Sequence, residues 1–505
     1  MGNKFLKFEY LLLFAVFTIA TCGLVYELVA GTLASYLLGD SVKQFSFIIG
    51  VYLFSMGIGS YFSKFITKNL LNTFVEIEIL VGLIGGLSSV VLFLLFETAF
   101  AFQFILYFLV FVTGCLVGLE IPLLMNILKD KVEFKDLVSN VFTFDYIGAL
   151  LASILFPLIL VPKLGIMGTS LFFGMINISI AIVLCYLLKS ELKKVKLLRA
   201  KAIFSFLVLL VTFFFSENIL SYSEGKLYGE NIIYTNSTQY QRIVLTHNKS
   251  DYRLYLNNNL QFSSADEYRY HEALVHPIMA AHGAPKKIAV LGGGDGMAVR
   301  EILRYASVES ITLVELDPNM TRLFQTHPDL IQLNQKSLLS NKVKIVNADA
   351  FKWLEENTDY FDIIIVDFPD PTNFNVGKLY TNSFYSLLEK RLNAGAYAVI
   401  QTTSPLIARQ TFWTVAHTIE SVGLQATPYH AHVPSFGEWG FVIASRRPYR
   451  LPTQLPAKLQ FLTAQSLPQL FIFPPDMARV PSDINRLSNQ ILVNTYEQEW
   501  GKIVH

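Results

Sequence analysis

The residues whose types and spacing could do chemistry lie in the C-terminal half. Gly292-Gly293-Gly294-Asp295-Gly296 follows an apolar, β-branched run and leads into a helical pattern over 297–305. Glycines at a strand-to-helix turn let a ligand approach the backbone, and the helix N-terminus beyond favours negative charge. Glu315, in Val314-Glu315-Leu316-Asp317, closes the next β-rich run 19 residues past Gly296, where an acid typically grips ribose hydroxyls. Asp349, in Asn347-Ala348-Asp349-Ala350, follows the third run, where an acid can accept from an adenine amino group. A tight structural turn would carry the same glycines. The three features together suit an adenosyl ligand better than a bare turn.

Asp295 discriminates among such ligands. The carboxylate of S-adenosylmethionine needs backbone donors or a cation, and an aspartate in the glycine loop would repel it while attracting the neighbouring ammonium. Decarboxylated S-adenosylmethionine, which keeps only the amine, fits better. A second constellation, Asp367-Phe368-Pro369-Asp370-Pro371, closes the fourth β-rich run. Ligands of open α/β sheets bind outside the carboxyl ends of strands, so both acids should border the glycine-loop crevice. The prolines stiffen the turn and fix the directions of the carboxylates. Two anions so close require a cation nearby, although a capped, solvated turn also favours Asp-Pro. His271, His276 and His282 step by five and six residues, which does not align them on one helix face. No cysteine or matched acid set joins them, so no metal is expected.

These residues need a sheet to position them. Runs at 288–291, 311–316, 343–346, 362–367 and 397–402 alternate with helical segments, which predicts a doubly wound, mostly parallel sheet of the Rossmann-like, S-adenosylmethionine-methyltransferase type. Before it, 232–238, 240–246 and 252–256 read as a small antiparallel β domain between Asn-rich turns. The Pro-rich stretch 448–481 reads equally as a wrapping or lid segment and as a plain surface extension.

The N-terminal half is a different material. Of the 505 residues 52% are hydrophobic and 16% charged, against about 25% charged in ordinary soluble proteins. This apolar content excludes disorder, and three cysteines exclude a disulfide scaffold. A net charge of +1 gives no basic field, so nucleic acid is not an expected partner. The long apolar runs 9–37, 44–63, 74–96, 102–126, 138–162, 165–188 and 202–216 each approach the ~20 residues that a helix needs to cross a bilayer. Lysines and arginines concentrate at the N-terminus and in alternate loops, which places the N-terminus in the cytoplasm. The seventh run is short and is followed at once by Glu217 and Asn218, so it is expected not to cross fully; the side of the C-terminal domain stays open. Glu27, Glu120 and Asp145 fall inside predicted spans, either in interhelical hydrogen bonds or along a cation path. The predicted architecture is a multi-pass α-helical membrane domain (1–218), a small antiparallel β domain (226–265), a Rossmann-like domain (266–446) and a Pro-rich C-terminal extension (447–505).

Leu-Gly-Gly-Gly-Asp-Gly at 291–296, Asp266-Glu267-Tyr268-Arg269-Tyr270-His271-Glu272, Val314-Glu315-Leu316-Asp317-Pro318 and Asp367-Phe368-Pro369-Asp370-Pro371 resemble the spermidine synthase family of aminopropyltransferases. Leu379-Tyr380-Thr381 with Phe384-Tyr385, and Trp439-Gly440-Phe441, extend the resemblance over 230–445, and the whole chain is similar to the membrane-bound bacterial branch. The resemblance implies that Gln241, Asp295, Glu315, Asp349 and Ala350 bind decarboxylated S-adenosylmethionine as co-substrate. It implies that His271, Tyr270 and Gln261 line a polyamine pocket, that Asp370 anchors the acceptor ammonium, and that Asp367 accepts the proton. The products would be spermidine from putrescine and 5′-methylthioadenosine, with no metal and no resident cofactor. A homo-oligomer in the bacterial inner membrane is expected. Three departures fall on the acceptor side: Phe368-Pro369 between the acids, Thr372-Asn373-Phe374 after them, and Val433-Pro434-Ser435-Phe436-Gly437 in place of a Tyr-containing turn. Methyl transfer from S-adenosylmethionine, and a polyamine transporter or sensor with a binding-only synthase domain, are the competing readings.

Overall fold

In a computed structural model, which describes residues 2–38, 41–95, 99–129, 133–238 and 240–502, the apolar runs fold as helices. They are α1 (Gly2–Leu38), α2 (Ser41–Ser63), α3 (Leu70–Leu94), α4 (Ala99–Leu128), α5 (Phe134–Leu155), α6 (Val161–Leu187), α7 (Val195–Phe214) and α8 (Ser216–Tyr228). Six helical segments among the described residues have the length and hydropathy to cross a membrane. One of them runs over 53 residues, Lys135–Leu187. At ~1.5 Å per residue that is about 80 Å, more than twice a hydrocarbon core of ~30 Å. Its direction breaks at Gly165 (φ 67°, ψ 175°), just after a π-helical turn over Phe156–Leu160, which is where the sequence separates its fifth and sixth runs. α3 and α6 meet at Gly82 and Gly174, where a Cβ on either would come within 2.9 Å or 2.6 Å of the other's carbonyl oxygen. Small residues permit this close backbone approach, which drives helix association in lipid.

The seventh helix is longer than its apolar run. The seventh helix begins at Val195, ahead of the apolar run, because Lys196, Arg199 and Lys201 continue the helical turn on long aliphatic stems. At 20 residues α7 has the length to cross, so shortness does not argue against it. The sequence reading also passed over a fourth intrahelical acid. Glu78 is fully buried, and Asn177 of α6 donates to its Oε2 at 3.1 Å and to its carbonyl oxygen at 2.9 Å. The Oε1 atoms of Glu78 and Glu120 are buried without a hydrogen-bond partner.

The chain divides into two compact units, Met1–Ile232 and Ile233–His505. β1 (Asn231–Ser237), β2 (Arg242–Asn248), β3 (Asp251–Leu256) and β4 (Asn259–Ser263) form a four-stranded sheet in that order. Then come α9 (Glu267–His282), β5 (Lys287–Gly292), α10 (Met297–Ile302), β6 (Ser310–Glu315), α11 (Pro318–Thr326), α12 (Pro328–Leu333), β7 (Val343–Asn347) and α13 (Ala350–Glu356). β8 (Phe361–Asp367), α14 (Phe374–Gly377), α15 (Asn382–Lys390), β9 (Leu392–Gln401), α16 (Arg409–Glu420), β10 (Gln425–Val433), β11 (Gly437–Ser445) and α17 (Ile491–Trp500) complete it. The large sheet has the order β10-β11-β9-β8-β5-β6-β7. β5 to β9 pair in parallel, and β11 pairs antiparallel with both β9 and β10.

Alternation along the strands explains the layers. Ile288 and Val290 bury with Leu274 and Val299 on one face, while Ala289 and Leu291 bury with Leu354, Phe384 and Leu388 on the other. With apolar residues on both faces, the central strands must be covered by helices twice. Strand order reverses between β5 and β8, the position at which open α/β sheets leave a ligand crevice.

Candidate active site

The parallel register puts Gly292 beside Asp367 and Leu291 beside Val314, so the glycine loop, Glu315 and Asp367 leave the sheet at neighbouring strand ends. Gly293 has φ 66°, and a Cβ there would lie 2.9 Å from Asp367 Oδ2; a Cβ on Gly294 would lie 2.7 Å from Glu315 Oε2. A side chain at either of these two positions would therefore displace a carboxylate. Asp295 Oδ1 accepts from the Met297 amide at 2.8 Å, starting α10, and Asn334 Nδ2 holds its carbonyl at 3.1 Å. Glu315 Oε1 accepts from the Asp317 amide at 3.0 Å.

α9 supplies the opposing wall. Tyr270 donates from its hydroxyl to Asp367 Oδ1 at 2.5 Å. His271 Nδ1 lies 2.7 Å from Glu267 Oε2, and Arg300 clamps both Glu267 oxygens at 2.9 Å. The ion pairs continue inward through Arg300 Nε to Glu301 Oε1 at 2.8 Å and Glu301 Oε2 to His276 Nε2 at 3.1 Å. The helix is fixed at two further points. Asp266 accepts from the Ser435 amide and hydroxyl, and Glu272 from the amides of Gln460, Phe461 and Leu462.

Electrostatics set the site apart. Burial, reinforced by Asp295, pushes the Asp367 carboxyl up to about 6. Burial pushes Glu315 and Asp370 up to about 7 and raises Asp295. Burial works against a protonated His271, but the Glu267 hydrogen bond and charge win and raise it. Glu267 itself is lowered despite burial, because His271 and Arg300 hold its charge. Arg300 is thus already spent on Glu267 and Glu301. A crevice with raised acids on the glycine loop, at the end of β6 and at the end of β8 is built for cations.

The remaining predicted residues divide. Gln241 Nε2 donates to Asp317 Oδ2 at 3.2 Å, where Thr238 also donates at 2.8 Å, so it reaches the strand end that carries Glu315. Asp349 caps α13 through the Phe351 amide at 2.9 Å and pairs with Lys378 Nζ at 2.5 Å, which holds its carboxyl low against burial. Ala350 is buried at the first position of α13. Gln261 lies on β4, where its amide bonds the Asn259 carbonyl at 3.2 Å; no hydrogen bond ties it to the other site residues among those described. Asp370 Oδ2 accepts from Thr403 Oγ1 at 3.3 Å, while Oδ1 is buried without a partner of standard geometry. His271 and His276 are engaged by carboxylates as above.

Two of the departures have structural explanations. Phe368 turns into the core, its ring 5.7 Å from Phe384 and 6.4 Å from Tyr380, so it is no part of the crevice wall. Asn373 caps α14 through the Val376 amide at 3.1 Å. Phe436 packs beside Trp439 and Tyr270, with ring centroids 5.1 Å and 6.4 Å away. Sequence reasoning missed Gln401, which accepts from Trp439 Nε1 at 3.0 Å and donates to Tyr380 and the Phe368 carbonyl. Its position at the end of β9, beside the Asp367 strand, was the available signal. It also missed the clamp roles of Asp266, Glu267 and Glu272, although all three lie in the quoted block.

Residues 267–453 match the family described as the spermine/spermidine synthase domain. A polyamine aminopropyltransferase of Leptospira interrogans is 52% identical over 490 residues, covering 97% of this chain and 98% of that one. Polyamine aminopropyltransferase 2 of Ralstonia nicotianae is 50% identical over 503 residues, covering 98% and 99%. Among solved structures, a spermidine synthase from Thermotoga maritima aligns at a TM-score of 0.45 and 24% identity, over 54% of this chain and 88% of that chain. With identity of one half or more sustained over nearly the full length of such relatives, the chain belongs to the polyamine aminopropyltransferase family and is an enzyme of that class.

Proposed function

We propose that this chain moves the aminopropyl group of decarboxylated S-adenosylmethionine onto putrescine, yielding spermidine and 5′-methylthioadenosine, with Asp367 as general base. The observation that carries the reading is the placement of one carboxylate: Asp367 has Oδ1 held by Tyr270 and Oδ2 beside Gly293 of the loop. Asp295 takes the donor ammonium, Glu315 and Gln241 serve the ribose side, and Asp349 with Ala350 the base. Tyr270, His271, Gln261 and Asp370 serve the amine side. A primary amine is mostly protonated near neutral pH, and only its neutral form attacks. Asp370 binds the remote ammonium while Asp367 removes the proton from the attacking nitrogen. That nitrogen forms a bond to the propyl carbon next to sulfur, and the carbon–sulfur bond breaks with its electrons going to sulfur. The sulfonium charge supplies the driving force, so the protein mainly provides in-line placement.

The apolar unit would anchor a homo-oligomer in a bacterial inner membrane, with a cytoplasmic N-terminus, α7 not crossing fully, and the synthase unit therefore on the cytoplasmic side where the donor is made. A cysteine at exposed Asn248 should resist an impermeant maleimide in intact cells and react after lysis. Labelling in intact cells sinks the cytoplasmic assignment. The deciding experiment for the reaction is mass spectrometry of purified full-length protein with decarboxylated S-adenosylmethionine and a panel of amines. 5′-Methylthioadenosine appearing with spermidine supports the proposal, and S-adenosylhomocysteine from S-adenosylmethionine would replace it with methyl transfer. The buried, unpartnered oxygens of Glu78 and Glu120 favour a second role, polyamine movement through the membrane unit. Glu120→Gln should then reduce flux into vesicles while catalysis in detergent survives; unchanged flux removes that role.

A further inference from the structure

The last helix of the chain returns to the acceptor end of the crevice. α17 lies wholly beyond the matched residues 267–453, and nothing in its sequence marks it as part of a site. It is nevertheless locked in place. Glu499 accepts from the amides of Gln410 and Thr411 and from the Thr411 hydroxyl, which starts α16 with a carboxylate cap. Leu492 is fully buried, and its amide donates to Asn485 Oδ1. Asn485 in turn bonds the carbonyls of Gly377 and Tyr380.

Two side chains one turn apart on α17 reach the surroundings of Asp370. Tyr496 lies within hydrogen-bonding reach of the Asp370 carboxyl and beside Tyr380. Trp500 Nε1 donates to Thr403 Oγ1 at 3.1 Å, and Thr403 in turn donates to Asp370 Oδ2 at 3.3 Å. The two aromatic rings are 5.9 Å apart. Asp370 thus has neutral groups around it (Tyr496, Thr403 and Gln401), of which Thr403 alone makes a hydrogen bond of standard geometry, and its Oδ1 is buried without one. Neutral donors solvate a carboxylate only in part, so an ammonium is the group that completes this site.

We propose that Tyr496, backed by Trp500, forms the closed end of the amine pocket and fixes the length of acceptor that the enzyme takes. A linear diamine would end with its remote ammonium on Asp370, and a longer polyamine would meet the Tyr496 ring. This rests on the assignment of Asp370 as the acceptor anchor. Tyr496 acts through that anchor and by its bulk, as a positioning and selectivity residue.

The test uses full-length protein in detergent with decarboxylated S-adenosylmethionine and either putrescine or spermidine as acceptor, read by mass spectrometry. Tyr496→Phe should raise KM for putrescine about five- to tenfold, as expected for one hydrogen bond, with much smaller changes in kcat and in donor KM. Tyr496→Ala should lower the preference for putrescine over spermidine at least about tenfold, since the end of the pocket is opened. Trp500→Phe, which keeps the ring but loses the bond to Thr403, should fall between. Variants that melt within a few degrees of wild type and keep its KM and acceptor ratio would overturn the proposal. Should Tyr496→Ala not fold, the KM of Tyr496→Phe decides alone. A wild-type enzyme that forms no 5′-methylthioadenosine with any amine would instead refute the reaction itself.

Discussion

Tyr270 and Asp367 meet across the crevice, one from a helix and one from a strand end, with the phenol on Oδ1 at 2.5 Å and Oδ2 left facing Gly293. The bond orients the carboxylate and leaves the basic lone pairs of Oδ2 on the glycine-loop side. Tyr270 is itself pinned, because its ring sits 5.3 Å from Phe441 and 6.4 Å from Phe436. Asp367→Asn should lower kcat by about 10²- to 10⁴-fold, the usual range for a lost general base. Tyr270→Phe should cost less, about tenfold, because the base survives with one less anchor. Steady-state kinetics of both variants checks the order; an Asp367→Asn enzyme near wild-type rate would remove Asp367 from the chemistry.

The pH dependence has a definite sign. Asp367 must be ionised to accept a proton, and burial with the Asp295 charge pushes it up to about 6. kcat/KM should therefore rise with pH through about 6 and flatten only past the carboxyls near 7, Glu315 and Asp370. Tyr270 donates to the charged form of Asp367 and so lowers its pKa. Losing that phenol should move the acid limb upward. A pH–rate profile of wild type and Tyr270→Phe tests both statements, and a limb that stays put in the variant contradicts them.

The same carboxyls predict how ligands stabilise the protein. Their folded values lie above the unfolded ones, so the folded state holds these protons more tightly, and this stabilisation is present in acid and lost as pH rises through about 6 to 7. A cationic donor reverses the balance by favouring the ionised forms. Decarboxylated S-adenosylmethionine should therefore raise the melting temperature by several degrees more at pH 8 than at pH 5.5. Equal shifts at both values would show that the acids do not face the donor.

Asp295 makes a prediction about ligand choice. Buried beside the glycine loop, it should repel a ligand carboxylate and attract an ammonium. Asp295→Asn should weaken the decarboxylated donor about tenfold or more, while binding of S-adenosylmethionine improves or stays level. Calorimetry with the two compounds measures the crossing. Parallel losses for both would reduce Asp295 to a cap on α10.

How much of this was legible depends on what each residue answers to. The glycine loop, Glu315 and Asp367 were readable because strand ends and loop composition are local, and parallel pairing then brings them together. The continuous apolar run Ile288–Leu291 likewise marked a strand, which the structure covers on both faces. Tyr496 was not readable: its role depends on a chain path that wraps from Glu272 through Asn485 before α17 docks. Phe368 looked like a change in the pocket because position in the motif does not reveal side-chain direction, and here the ring joins the core. Gln261 shows the converse, a motif-side residue that the small sheet holds with only a local bond. The extent of α7 escaped because charged residues at its start carry helical propensity that an apolar count ignores.

The buried chain His271–Glu267–Arg300–Glu301 yields the last prediction. Arg300 is 7% exposed and bonds Glu267 twice and Glu301 once, so removing it leaves buried Glu267 with His271 alone and Glu301 with only His276 and Arg304. Arg300→Met should destabilise the synthase unit by about 3–5 kcal/mol, the range for a broken buried pair. Removing charge on both sides should cost less than the single change, because Glu267→Gln with Arg300→Met leaves fewer unpaired ions. The two differ in chemistry as well. With Glu267→Gln alone, His271 loses the partner that raises it, so the variant should fold yet bind the amine with an altered pH dependence. Thermal melts of the two single variants and the double measure the coupling; strictly additive losses would mean that the chain does not act as a unit.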